Sequence, residues 1–160
     1  MNFAAMPDFT FQRGERLKSR KVIEQLFKGG QSFAHYPLRI VWTIMDEPNG
    51  EFPAQFALSV SKKKFKRAVD RNRIRRLMRE AYRLNKHILY ERLETSRQSP
   101  VNSQQQLASA EATADKTSHQ QLALMVIYTG SEILSFQEIE KAMRDMLRRF
   151  VKKYRAGNQK

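Results

Sequence analysis

An α+β fold is predicted for this chain by three observations. Apolar residues recur three and four apart in three segments, β-branched and aromatic residues concentrate in three others, and the two kinds interleave. The predicted order is α-β-β-α-β-α, a sandwich of one small sheet and three helices. A length of 160 residues with 41% hydrophobic content suits a single domain with a modest core.

The first helix is marked by Ser19 as N-cap, by Val22, Ile23, Leu26 and Phe27 at helical spacing, and by Gly29-Gly30 as a left-handed stop. From Phe33 to Met45 the residues favour a strand (Leu38, Ile40, Val41, Trp42, Thr43, Ile44), and Asp46 to Gly50 is turn chemistry. Phe52 to Ser61 then alternates Phe56, Leu58 and Val60 with Gln55, Ala57 and Ser59, as a half-buried strand does. These two strands are expected to form a hairpin.

A long helix follows from about Ala68 to Leu93, with Ile74, Leu77, Ala81, Leu84 and Ile88 as its buried stripe. Residues 96–121 are Gln, Ser, Ala and Thr with hardly a large apolar side chain, too little burial to offset ordering, and read as a flexible insertion. Leu122 to Thr129 is apolar throughout, which suits a central strand covered on both faces. Ser135 and Glu138 form a capping box for a last helix carrying Ile139, Met143, Leu147, Phe150 and Tyr154. The chain thus divides into an N-terminal extension (1–15), one domain (16–95 with 122–155), the insertion (96–121) and a basic tail (156–160).

Thirty Lys plus Arg against sixteen Asp plus Glu give a formal charge of +14 and a pI near 10.4, a field that attracts polyanions, nucleic acid first. No apolar run approaches the roughly 18 to 20 residues needed to span a bilayer, and a basic membrane-surface helix ranks last because its apolar stripe is needed for the core, so no membrane partner is expected. The N-terminus lacks the positive region of a secretory signal and cysteine is absent, both of which fit a cytoplasmic protein.

The charge is concentrated. Between Lys62 and Arg83 stand eleven Lys or Arg against only Asp70 and Glu80. A solvated helix face interleaves Glu with Lys for pairing; this one is Arg-biased and nearly acid-free, with Asn72 in its first turn. Arg71, Arg75 and Arg79 fall four apart, so the helix presents planar guanidinium forks opposite its apolar stripe, suited to bidentate phosphate contact and to stacking on exposed bases.

The stretch LSVSKKKFKRAVDRNRIRRLMREAYRL resembles the signature of the protein subunit of bacterial ribonuclease P. The resemblance extends upstream to Arg16-Leu17-Lys18 and the helix ending in Leu26-Phe27 with Gly30, and downstream to the last strand and helix. It implies that Lys62, Lys63, Lys66, Arg67, Arg71, Asn72, Arg73, Arg75, Arg76 and Arg79 contact the catalytic RNA, ribonuclease P RNA, near its active centre. It also implies a cleft between the first helix and the sheet that takes the single-stranded 5′ leader of precursor tRNA, floored by Phe27 with Ile23 and Val41. The family often carries aromatic residues where Ile23 and Val41 stand. An apolar helical face serves core packing equally well, and Phe27 is open to either use. The crossover around the Arg-rich helix would be the rare left-handed form, similar to domains of the ribosome and its factors.

Chemistry of its own is not predicted. A self-sufficient phosphodiesterase needs clustered carboxylates or a His pair, whereas the carboxylates here are scattered and His35, His87 and His119 lie far apart. No catalytic residue and no metal ligand is assigned, and Mg2+ is expected to be held mainly by the RNA subunit and the substrate. A structural RNA-binding protein of the ribosome or its assembly is the alternative that charge and fold permit. A DNA partner is not expected, because a helix-turn-helix needs a helix, not a strand, before its recognition helix.

Overall fold

The computed structural model describes residues 9–45, 52–97 and 121–157. Among these, a 3-10 turn at Arg13–Glu15 leads into α1 (Arg20–Gly29), β1 (Gln31–His35), β2 (Leu38–Met45), β3 (Ala54–Val60), α2 (Ala68–Arg97), β4 (Gln121–Tyr128) and α3 (Phe136–Gly157). The α+β class holds, with one strand more than expected. The run from Phe33 to Met45 folds back on itself at Tyr36-Pro37, a cis peptide bond, where proline cannot donate to a ladder. The order is therefore α-β-β-β-α-β-α.

The expected hairpin between the second and third apolar runs is not formed. The hairpin is β1 with β2, while β2 pairs antiparallel with β4 and β3 pairs parallel with β4, giving the order β1-β2-β4-β3. The reason lies in β4, whose side chains are apolar on both faces. The centre of the sheet buries both, and β4 takes that place between β2 and β3.

Alternation divides the sheet residues between two cores. Leu38, Ile40 and Trp42 of β2, with Leu122, Leu124 and Val126 of β4, face α2 and α3. Val41, Met45, Ala123 and Met125 face Val22 and Leu26 of α1 on the other side. Helix α1 starts as predicted, with the Ser19 hydroxyl accepting from the Val22 amide at 3.5 Å. It does not stop on a left-handed residue: Gly30 has φ −68° and ψ 142°. Glycine is needed there for close approach, since a Cβ would collide with the Leu26 carbonyl and lie 3.0 Å from Val41 Cγ1. The Ser135–Glu138 capping box opens α3 as expected, with the Ser135 amide donating to Glu138 at 3.0 Å and the Glu138 amide to Ser135 Oγ at 3.4 Å.

The buried line of α2 is turned from the predicted one. Ile74 and Ala81 are buried, but Leu77, Leu84 and Ile88 are half-buried and Met78, Tyr82, Asn85 and Leu89 take the interior places. Tyr82 sets this rotation by stacking flat on Phe56 of β3, ring centroids 3.6 Å apart, with Phe11 edge-on to both rings.

Phe11 belongs to the segment expected as an extension ahead of the domain. Residues 9–17 instead run along α2 and β3, and the Leu17 amide donates to the Phe56 carbonyl at 3.0 Å beside the Arg16–Phe56 bridge, covering the outer edge of β3. Residues 96, 97 and 121 belong to α2 and β4, and 156 and 157 to α3. The rest of the expected insertion, residues 1–8, the turn at 46–50 and residues 158–160 lie outside the described residues.

Candidate nucleic-acid interface

The basic stretch begins as a loop whose backbone is tied down from within. Phe65 is buried against Tyr128, ring centroids 5.8 Å apart, and its amide donates to the Ser61 carbonyl at 3.1 Å. Arg71, from the first turn of α2, reaches back and donates through Nη1 to the carbonyls of Phe65 and Lys66 at 2.8 and 2.6 Å. The Lys64 ammonium donates to the Thr129 carbonyl. With those three anchored, Lys62, Lys63, Lys66 and Arg67 stand exposed around the start of α2, where the helix dipole adds positive potential.

Of the predicted RNA-binding residues, Arg71 thus acts first as a loop clamp. Arg71→Ala is expected to lower stability by about 1–2 kcal/mol, because two carbonyls lose charge-assisted bonds, and to speed hydrogen exchange selectively at residues 61–67. Unchanged exchange in that loop would show that Phe65 and Lys64 hold it without the clamp.

Past Arg71, Asn72, Arg73, Arg76 and Arg79 are exposed, while Arg75 is half-buried on the flank of the ribbon, not opposite the core. Among the described residues none of the ten candidates is ion-paired. Glu80, an acid within the ribbon, is already engaged: Arg83 holds it at 2.5 and 3.0 Å, and that hydrogen bond keeps its carboxyl below the ordinary value. Arg83 also donates to the Phe9 carbonyl at 2.9 Å. The guanidinium forks of Arg73, Arg76 and Arg79 are left to meet an outside anion.

The predicted cleft residues separate into two settings. Ile23 and Val41 share the small core beneath α1, Val41 being buried and Ile23 half-buried. Phe27 stands 62% exposed at the end of α1, so core packing is not its role. Half-buried Ala57 of β3 and Ile127 of β4 pack at the border of the same core and extend an apolar strip beside α1.

Sequence reasoning missed the attachment of the N-terminal segment to α2. The Glu15 carboxylate is fully buried, and it accepts from the Lys86 ammonium at 2.7 Å, the Tyr90 hydroxyl and the Gln12 amide. Lys86 donates also to the Thr10 carbonyl. Nothing local marks this pair, whose members lie 71 positions apart. Among the described residues no three His, Asp or Glu gather to hold a metal ion, and no helix is long and apolar enough to cross a membrane.

A basic α+β domain that pairs its buried charge internally and leaves an arginine ribbon exposed has the make-up of a nucleic-acid-binding protein. The family model for ribonuclease P matches residues 11–151. The ribonuclease P protein component of Porphyromonas gingivalis is 35% identical over 152 residues, 95% of this chain and 90% of that one. That of Chlorobaculum tepidum is 40% identical over 79 residues, 48% of this chain and 51% of that one. The fold is shared with the RNase P proteins of Thermotoga maritima (TM-score 0.55, 21% identity, 84% of this chain and 96% of that one) and Staphylococcus aureus (TM-score 0.54, 20% identity, 83% and 92%). The chain belongs to the ribonuclease P protein family. It is a protein subunit of that ribonucleoprotein endoribonuclease, and its role in maturing the 5′ end of precursor tRNA follows from the family.

Proposed function

We propose that the loop at 61–67 and the exposed face of α2 bind ribonuclease P RNA, and that the apolar strip beside α1 takes the 5′ leader of precursor tRNA. The carrying observation is the row of exposed guanidinium forks on α2, none of them ion-paired among the described residues. Phe27 supports the second half: an exposed ring at the end of α1 offers a stacking face for an unpaired base, one helical turn after half-buried Ile23, which shares the core beneath α1 with Val41.

The chain gathers no ligand set for magnesium among its described residues. On this reading the ions belong to the RNA and substrate, and the protein acts by charge. Two polyanions must meet, and a cation of +14 lowers their repulsion, raises substrate affinity and reduces the magnesium needed to hold them together. The setting is the cytoplasm.

The test is cleavage of a precursor tRNA by the ribonuclease P RNA at low magnesium, with and without this protein. Stimulation is expected, and its substrate-affinity component should vanish when the leader is cut to a single nucleotide. Failure of the protein to stimulate, at low magnesium, an RNA that is active alone at high magnesium would sink the proposal.

A further inference from the structure

A second cationic surface lies away from the arginine ribbon. Where the last turns of α3 pass the edge strand β1, Phe33, Ala34, Arg149, Lys152 and Lys153 line an open groove of about 460 Å³. No acidic residue lies on α3 after Asp145, and among the described residues none of these three cations is ion-paired. Two of them are held in place. The Lys153 ammonium sits over the rings of Phe33 and Trp42, 5.7 and 5.6 Å from their centroids, and Arg149 donates to His35 Nδ1 at 3.2 Å.

Cations near a helix C-terminus are favourable in their own right. That effect does not require them to converge on a groove, nor two to be fixed by aromatic partners. Strand β1 is one edge of the sheet, while α2 lies against β3 at the other. Three interstrand steps of about 4.8 Å separate those edges by about 14 Å, so one phosphate cannot bridge both surfaces.

We propose that the β1–α3 groove is a second RNA-backbone site, gripping phosphodiesters of a segment of the partner RNA distinct from the one on α2. RNA is the occupant because the chain is a subunit of a ribonucleoprotein and every charged side chain lining the groove is a cation. Phosphate contacts of this kind orient a protein without reading sequence, and two separated grips fix a rotation that one ribbon leaves free. The inference rests on the RNA-binding reading of α2.

The experiment compares Arg149→Gln with Lys152→Gln against a control of equal charge change, Lys21→Gln with Lys141→Gln, all four residues being exposed. Each full-length protein is bound to ribonuclease P RNA over a salt series and footprinted with hydroxyl radicals, with a thermal melt to confirm folding. The groove variant is expected to reduce the magnitude of the log affinity against log salt slope by about 1.5, and to lose one protected RNA segment while a second persists. The control should keep both segments. Identical slopes and footprints for the two variants would overturn the second site, and so would an unchanged RNA footprint coupled to groove-dependent binding of anionic vesicles. A wild-type chain that protects no RNA would overturn the α2 reading as well.

Discussion

Glu15→Ala is expected to be among the most destabilising single substitutions in this domain. The carboxylate is fully buried, and its removal leaves the Lys86 ammonium, itself 5% exposed, without its counter-charge. Breaking one side of such a pair costs about 3–5 kcal/mol, because the remaining ion keeps its desolvation penalty and loses the attraction that offset it. At roughly 2–4 °C per kcal/mol for a domain of this size, the melting temperature should fall by about 6–20 °C. The double variant Glu15→Leu with Lys86→Met removes both charges and should recover most of the loss, since the site lies beside Tyr90 and Phe11 already packs nearby. Thermal and urea unfolding of the three proteins decide the matter. A loss under about 1 kcal/mol for the single variant would mean that water reaches the pair.

Replacing Arg73, Arg76 and Arg79 together by alanine is expected to have the opposite profile. All three are exposed and alanine is the best helix former, so stability should change by no more than about 0.5 kcal/mol. Binding to ribonuclease P RNA should weaken by about 100-fold or more at moderate salt, taking at least about 1 kcal/mol for each charge-assisted contact. If about six phosphates are engaged by the parent, its slope of log affinity against log salt lies near −4 to −5, and the triple variant should flatten it by about 2. Filter binding across a salt series reads both quantities. An unaltered slope would place the RNA elsewhere on the surface.

The elements whose signals are local were readable in the sequence. The N-cap at Ser19 and the capping box of Ser135 and Glu138 mark helix starts that the structure keeps, because each is a contact between residues three apart. The basic ribbon was readable for a related reason: eleven cations in one stretch need no tertiary knowledge to be counted. Pairings were not readable. The Tyr36-Pro37 turn sits inside a run of strand formers, so the run passed for one strand, and neighbouring segments were paired by proximity although β4 separates them. The two-sided apolarity of β4 was the clue, since a strand buried on both faces belongs at the centre of a sheet. The ribbon's details depended likewise on distant partners. Arg71 turns inward to the loop, and Lys86 is drawn inside by an acid that no periodicity along α2 reveals.

The position of β4 also orders events in time. The strand that joins the β1–β2 hairpin to β3 is the last of the four to be made, reaching from Gln121 to Tyr128. A chain emerging from the ribosome can form α1, the β1–β2 hairpin and much of α2 from nearby residues, but β3 has no strand to pair with until about three quarters of the protein exists. The arginine helix is therefore displayed before the sheet beneath it can close, and closure is a late, long-range step that joins two halves of the molecule at once.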